Sequence, residues 1–259
     1  LRVTGIVQGV GFRPFIYRIA AENGLNGYVR NRGDAGVEVV LEGRDEKIED
    51  FLRDLKEKKP PLAQIYEVKA SPLKGRNEYD KFTIYRSSEE AESSGSVVPP
   101  DVAICDDCLK ELRDPGDPRH DYFFITCTNC GPRYTVIERL PYDRENTTMR
   151  DFPMCAFCRK EYADPLNRRF HAQTIACPEC GPSVYLTTSE GKSMEVGDPV
   201  REAGRLISEG FLVAVKGYGG FHVAASTTSD APLVRLRGVK HRKEKPFAIM
   251  ARGLEAVRT

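Results

Sequence analysis

The first 88 residues carry a hydrophobic pattern that switches period several times. Leu1 to Val7 alternates apolar and polar positions, the period of a half-buried strand. Phe15, Ile16, Ile19 and Ala20 then recur at helical spacing within Pro14 to Ala20, and Gly24 is a good stop for that helix. Leu25 to Asn31 and Val37 to Leu41 read as a strand pair joined by Arg32-Gly33-Asp34-Ala35-Gly36. Ile48, Phe51, Leu52 and Leu55 mark a second amphipathic helix ended by Pro60-Pro61, and Ile65 to Ala70 and Phe82 to Tyr85 supply the last strands. The order is β-α-β-β-α-β with one additional strand-like segment, the ferredoxin-like plan. Residues 89–98, small and polar without periodicity, read as a linker.

Beyond the linker the apolar pattern thins and cysteine takes over. Residues 99–190 hold four Cys-x-x-Cys pairs, Cys105/Cys108, Cys127/Cys130, Cys155/Cys158 and Cys177/Cys180, which are all eight cysteines of the chain. Eighteen residues separate the pairs within each half, and the second half repeats the first at an offset of 50. Asp114-Pro115 recurs as Asp164-Pro165, Lys110-Glu111 as Lys160-Glu161, Ile125 as Ile175 and Gly131-Pro132 as Gly181-Pro182. Each half is expected to hold a short helix (109–112 and 159–162) and a β-rich return, Tyr122 to Thr126 in the first. This duplicated spacing reads as two tetrathiolate zinc sites, with metal supplying folding energy that so few aliphatic residues cannot. Iron–sulfur ligation uses the same ligand type, but the even knuckle spacing favours zinc. Pairing within each half is the simplest connectivity; a crossed arrangement has the same signature. His171 lies outside the repeat, where Asp121 is its counterpart, and reads as a packing or interface histidine rather than a ligand. Four thiolates close the coordination sphere, so the metals are structural.

A third region spans residues 195–259. Asp198-Pro199 forms an N-cap and first-turn pair before the stripe Val200, Ala203, Leu206 and Ile207, and Gly210 ends the helix. Phe211 to Val215 reads as a strand, Lys216 to His222 as a Gly-rich turn, Ala231 to Leu236 as a helix, and Phe247 to Met250 as strand-like after the basic run Lys240 to Lys245. A Gly-rich turn with a Lys-x-Arg cluster suits a triphosphate. The fold class is α+β overall, with this last α/β segment too short for a complete nucleotide-binding core. With no initiator Met, the chain is expected to be a fragment of something longer.

Composition narrows the partners. The chain has 259 residues, is 40% hydrophobic and 30% charged, and carries a formal charge of +1. Eight thiolates and two divalent ions would bring that to about −3, which weakens any case for nucleic acid from bulk charge. No apolar run nears the ~18 residues of a membrane helix, so no membrane partner is expected. Thiolate ligands and the lack of an export signal point to a reducing, cytoplasmic setting.

The chemistry begins at the first strand-to-helix connection. Two glycines in Gln8-Gly9-Val10-Gly11-Phe12-Arg13 let backbone N–H groups converge at a helix N-terminus, which favours an anion, and Arg13 adds a two-pronged donor. The string Gly5 to Phe15, followed by Gly27-Tyr28-Val29-Arg30-Asn31, resembles the acylphosphatase signature over the whole first domain. That resemblance implies that Gln8, Gly9, Val10, Gly11, Phe12 and Arg13 bind the phosphate and that Asn31 orients an attacking water. The region from residue 195 resembles the opening of a YrdC-like domain, whose members bind ATP, which implies that Lys240 and Arg242 lie on a triphosphate with Lys216 nearby. Gly219-Gly220-Phe221 departs from that family's Thr-x-Thr-type loop.

The whole order, with Cys127 to Tyr134 and Arg168 to Gln173 as its most specific strings, is similar to the HypF family of [NiFe]-hydrogenase maturation carbamoyltransferases. The resemblance implies carbamoyl phosphate as substrate, ATP as substrate of the complete protein, and a HypE-type partner whose cysteine takes the carbamoyl group on its way to the iron's cyanide ligand. The chain itself is expected to hydrolyse acyl phosphates without supporting ATP–pyrophosphate exchange. A reading of another class is a zinc-ribbon nucleic-acid- or protein-binding module carrying a non-catalytic acylphosphatase-like fold, motivated by Arg168-Arg169 and Phe170-His171.

Overall fold

The alternation at the N-terminus becomes β1 (Arg2–Ile6), whose Val3 and Gly5 face inward. In the computed structural model, which describes residues 1–32, 35–73, 79–87, 100–217 and 220–258, it is followed by α1 (Phe12–Glu22), β2 (Asn26–Asn31), β3 (Val37–Glu42), α2 (Asp45–Glu57), β4 (Gln64–Lys69) and β5 (Phe82–Ile84). The strands form one sheet in the order β4-β1-β3-β2-β5, antiparallel except for the β2–β5 pair. Both helices pack on it through Phe12, Phe15, Ile16, Ile19, Phe51 and Leu55, all buried against Val3, Val29, Val37 and Val39. Period two along β2 places Gly27, Val29 and Asn31 on the buried side, so a polar amide is carried into the core. Gly5 is required by its neighbours: at φ 130° any Cβ would meet the Gln64 carbonyl oxygen at 2.1 Å. The expected linker at 89–98 and the turn at Gly33-Asp34 lie outside the described residues.

The two cysteine units are built alike. α3 (Asp106–Arg113) and α4 (Ala156–Ala163) each start from a cysteine, Cys105 or Cys155, and bury the next one, Cys108 or Cys158. The Asp-Pro turns repeat as well: Asp114 Oδ1 accepts from Gly116 N and Asp164 Oδ1 from Leu166 N, both at 2.9 Å. Asp121 and His171 then hold matching left-handed conformations, φ 55° and 54°. The return from Tyr122 to Thr126 is not β-rich. It is a run of turns, with Tyr122 N bonded to Arg119 O and Ile125 N to Tyr122 O. Tyr122, Phe124 and Ile125 are held by burial around the cysteines while Phe123 is exposed, and no strand lies alongside the stretch among the described residues.

A pseudo-twofold interlock joins the units. Arg119 donates Nε to Ala176 O at 2.8 Å and Nη2 to Glu161, while Arg169, its counterpart in the repeat, donates Nε to Thr126 O at 3.0 Å and Nη2 to Glu111. Each partner is again 50 positions from its twin, the reciprocity of an isologous interface. Between the units, residues 133–153 carry two 3₁₀ turns, Arg144–Asn146 and Thr148–Asp151.

The described residues divide into two compact units, Leu1–Ser183 and Val184–Thr259. The second has a hairpin of β6 (Leu186–Thr187) and β7 (Ser193–Met194), then α5 (Pro199–Ser208), β8 (Val213–Gly217), β9 (Gly220–Ala224), α6 (Asp230–Lys240) and α7 (Glu255–Arg258). Asp198 caps α5 as expected, its Oδ1 accepting from Val200 N and Arg201 N at 3.0 Å. The stretch read as a Gly-rich turn is instead the arms of a hairpin, with Val215 opposite His222 and Lys216 opposite Phe221; Tyr218 and Gly219 lie outside the described residues. Phe247 to Met250 forms no strand: the Phe247 ring receives the guanidinium groups of Arg237 and Arg242, and Met250 is exposed.

Candidate active site

The loop after β1 is turned by Gly9 and Gly11, both left-handed at φ 68° and 73°. Gly11 caps α1, so the helix begins with N–H groups that have no acceptor inside the helix and face the loop. Arg13 is the second residue of α1, and β2 delivers Asn31 beneath it. With the Asn31 amide oriented by its donors, Oδ1 accepts from Arg13 Nε at 3.2 Å and Nη2 at 3.3 Å. Both side chains are buried. The structure therefore brings together Arg13, Asn31 and the loop, the residues in which the sequence concentrates phosphate chemistry.

The other wall comes from the cysteine units, which the sequence did not indicate. A cavity of about 30 Å³ lies between the loop and Thr128, Arg133, Tyr142 and residues 171–174. Thr128 packs on Gly11 so closely that a Cβ there would stand 3.0 Å from the Thr128 Cβ. Arg133, 2% exposed, directs its donors at five carbonyls: Gly9 in the loop and Cys127, Thr128, Cys130 and Pro132 in the first unit. Its planar fork thus bolts a metal knuckle to the phosphate loop. Gln8 Oε1 accepts from Tyr142 N at 3.2 Å, and Arg13 Nη2 donates to Tyr142 O at 3.1 Å and Asp143 Oδ1 at 2.7 Å. His171 packs tilted against Tyr162 and edge-to-face on Phe170, and Phe170 in turn meets Tyr17 of α1. Burial, reinforced by the Arg13 charge, holds the His171 imidazole neutral, its pKa lowered to about 4. It is a packing histidine beside the site and belongs to neither cysteine cluster.

The eight thiols gather as Cys105, Cys108, Cys127 and Cys130, and as Cys155, Cys158, Cys177 and Cys180, so pairing is local to each half. Neighbouring sulfurs stand 3.5–3.7 Å apart in the first cluster and 3.6–3.8 Å in the second. A tetrahedron with Zn–S near ~2.3 Å requires S···S of about 3.8 Å, whereas a disulfide would need about 2.0 Å. The clusters fit zinc. Arg168 donates two bonds of 3.2 Å to Cys108 Sγ, and Arg119 one of 3.4 Å to Cys158 Sγ, the outer contacts that fix and neutralise thiolate ligands. Arg168, Arg169 and Phe170, which motivated the nucleic-acid reading, are therefore committed to internal contacts.

In the second unit Lys216 stands on β8 with its ammonium over the Phe221 ring, while Lys240 ends α6 and Arg242 follows it over Phe247. All three are exposed.

Family comparisons divide the chain in the same order. Residues 1–84 match the Acylphosphatase family, residues 104–137 and 154–187 the HypF finger, and residues 205–259 the family described as Telomere recombination, which groups the YrdC-like domains. The probable carbamoyltransferase HypF of Methanocaldococcus jannaschii is 52% identical over 252 residues, 97% of this chain and 33% of that protein. The crystal structure of T. kodakarensis HypF superposes with a TM-score of 0.86 at 55% identity, over 99% of this chain and 32% of the other. The chain belongs to the HypF family. It spans about a third of the length of the HypF proteins it matches. A full-length HypF structure in a phosphate- and nucleotide-bound form likewise aligns over 99% of this chain and 33% of its own, at 43% identity and a TM-score of 0.87. The two strings most specific to HypF, Cys127 to Tyr134 and Arg168 to Gln173, are those that contribute Thr128, Arg133 and His171 to the cavity wall. That coincidence is the signal by which they were open to discovery. Tyr142 and Asp143 carried no comparable signal. No helix among the described residues is long and apolar enough to cross a membrane.

Proposed function

We propose that residues 1–88 hydrolyse carbamoyl phosphate to carbamate and phosphate, and that residues 99–190, carrying two structural zinc ions, hold this site in place. The observation that carries the reading is the convergence of Arg13 and Asn31 beneath a glycine-turned loop at the start of α1. The guanidinium and the loop N–H groups neutralise the phosphoryl oxygens, where charge is highest in the transition state. Asn31 Oδ1, engaged by Arg13, leaves the amide N–H groups to hold the water. The water oxygen bonds phosphorus, the bond from phosphorus to the acyl oxygen breaks, and carbamate leaves with its electron pair. A good leaving group makes positioning and charge sufficient without a covalent intermediate.

In the longer protein, carbamate would react with ATP in the YrdC-like region, with Lys240 and Arg242 on the triphosphate and Lys216 nearby. The phosphate- and nucleotide-bound form of a relative supports the pairing of these two ligands. The carbamoyl group would then pass to a cysteine of a HypE-type partner and become the cyanide ligand of [NiFe]-hydrogenase. Eight free cysteines suit a reducing, cytoplasmic setting.

Steady-state kinetics of Asn31→Ala on carbamoyl phosphate test the division of labour. A fall in kcat of about 10²-fold, with phosphate affinity retained, is expected from a mispositioned water; an unchanged kcat would remove Asn31 from the chemistry.

A further inference from the structure

The Arg13 guanidinium already has acceptors at its site. Nη2 donates to Asp143 Oδ1 at 2.7 Å and to Tyr142 O at 3.1 Å, Nη1 to Ser87 Oγ at 3.3 Å, and Nε and Nη2 face Asn31 Oδ1. A guanidinium has five N–H donors, and a grip on two phosphate oxygens takes two parallel ones. The adjoining cavity is lined by Arg13 together with the loop residues Gln8, Gly9 and Gly11 and by Tyr142. Asp143 lies 130 positions along the chain from Arg13, and its side chain keeps 18% of its surface exposed, so the carboxylate has solvent to move into. To an arginine, a carboxylate presents the same pair of acceptor oxygens as phosphate with a smaller charge.

We propose that Asp143 is a resident counter-anion that competes with phosphate for Arg13, setting phosphate affinity and speeding release of the product. The inference rests on the reading of this site as an acyl-phosphate hydrolase. Substrate enters as the carboxylate swings off the guanidinium. Once the acyl group has left, the carboxylate returns and phosphate departs. Asp143 is a positioning residue, since it acts through Arg13. A pair that served only to clamp the loop to the cysteine units would have the opposite signature: its loss would loosen the site and weaken phosphate binding.

The test is a calorimetric titration of inorganic phosphate into the zinc-loaded full chain, for wild type, Asp143→Asn, Asp143→Ser and Asp143→Glu. Removing the competing charge is expected to tighten phosphate about tenfold in both neutral variants, which corresponds to about 1.4 kcal/mol. Asp143→Glu is expected to stay near wild type. In turnover, the neutral variants should show lower KM together with lower kcat as release slows. Phosphate binding that is unchanged or weaker in the folded neutral variants overturns the proposal, as does a failure of both to fold, because a displaceable anion cannot be one the fold depends on. The titration reads binding alone, so a wild type that binds phosphate without hydrolysing carbamoyl phosphate would defeat the functional reading and the role in product release, whereas unchanged phosphate binding in the neutral variants would defeat the competition at Arg13 itself.

Discussion

Buried charge at single positions decides how this molecule is held together. Arg133 meets five carbonyls and Arg119 meets a carboxylate, a carbonyl and a thiol, so neither is a charge left without partners. The strength of such groups lies in being fully matched; removing one partner from a buried pair costs on the order of 3–5 kcal/mol. His171 is the converse case, a half-buried group kept neutral beside Arg13. Its folded pKa of about 4 lies below the ordinary 6.5 of histidine, so the unfolded chain binds the proton first. The stability this contributes is complete above the ordinary value and is lost as pH falls toward the folded one. Denaturation of wild type and His171→Asn, a substitution that keeps the left-handed backbone accessible, should show the wild type losing about 1 kcal/mol more than the variant between pH 7.5 and 5.5. Equal losses would mean that the imidazole is solvated in the folded state.

At the scale of elements, the first domain was legible because its information is local. Period two in β1 and β2, helical spacing in α1 and the glycine-turned loop all lie within 31 consecutive residues, and they carry Arg13 and Asn31 to one place. The metal clusters were legible for the same reason, since ligand spacing is a local quantity and each cluster closes within one repeat. Tyr122 to Thr126 misled because an unbroken run of aromatic and β-branched residues resembles a strand, while among the described residues no partner strand pairs with it. In the second unit, glycines around Lys216 signalled a turn, yet the hairpin register pairs most of that stretch. The interlock of Arg119 and Arg169 adds a prediction: the two metal units should fail together. Wild type should bind two equivalents of zinc, and Cys108→Ser or Cys130→Ser should each remove the same ion and lower the melting temperature of the whole Leu1–Ser183 unit. Separate melting of an intact second cluster, followed by zinc content and circular dichroism, would show that the reciprocal pairs do not couple them.

Across the Leu1–Ser183 unit, the candidate site is a joint product of two distant stretches of sequence. Gly11 meets Thr128, Gln8 meets Tyr142, and Arg13 meets Asp143, contacts between residues more than a hundred positions apart. No periodicity encodes such contacts, which is why the loop could be read as a phosphate site while Tyr142 and Asp143 of its opposite wall could not. Each cysteine cluster offers a zinc ion four thiolates and no open position, and its geometry serves the loop on the other side of Arg133. The most direct test of this account is the rate of phosphate release from carbamoyl phosphate by the full chain and by Arg13→Ala, compared in samples of equal zinc content. Loss of the phosphate fork should lower the rate by at least about 10²–10³-fold with folding and zinc unchanged. Equal release by the two proteins would contradict it.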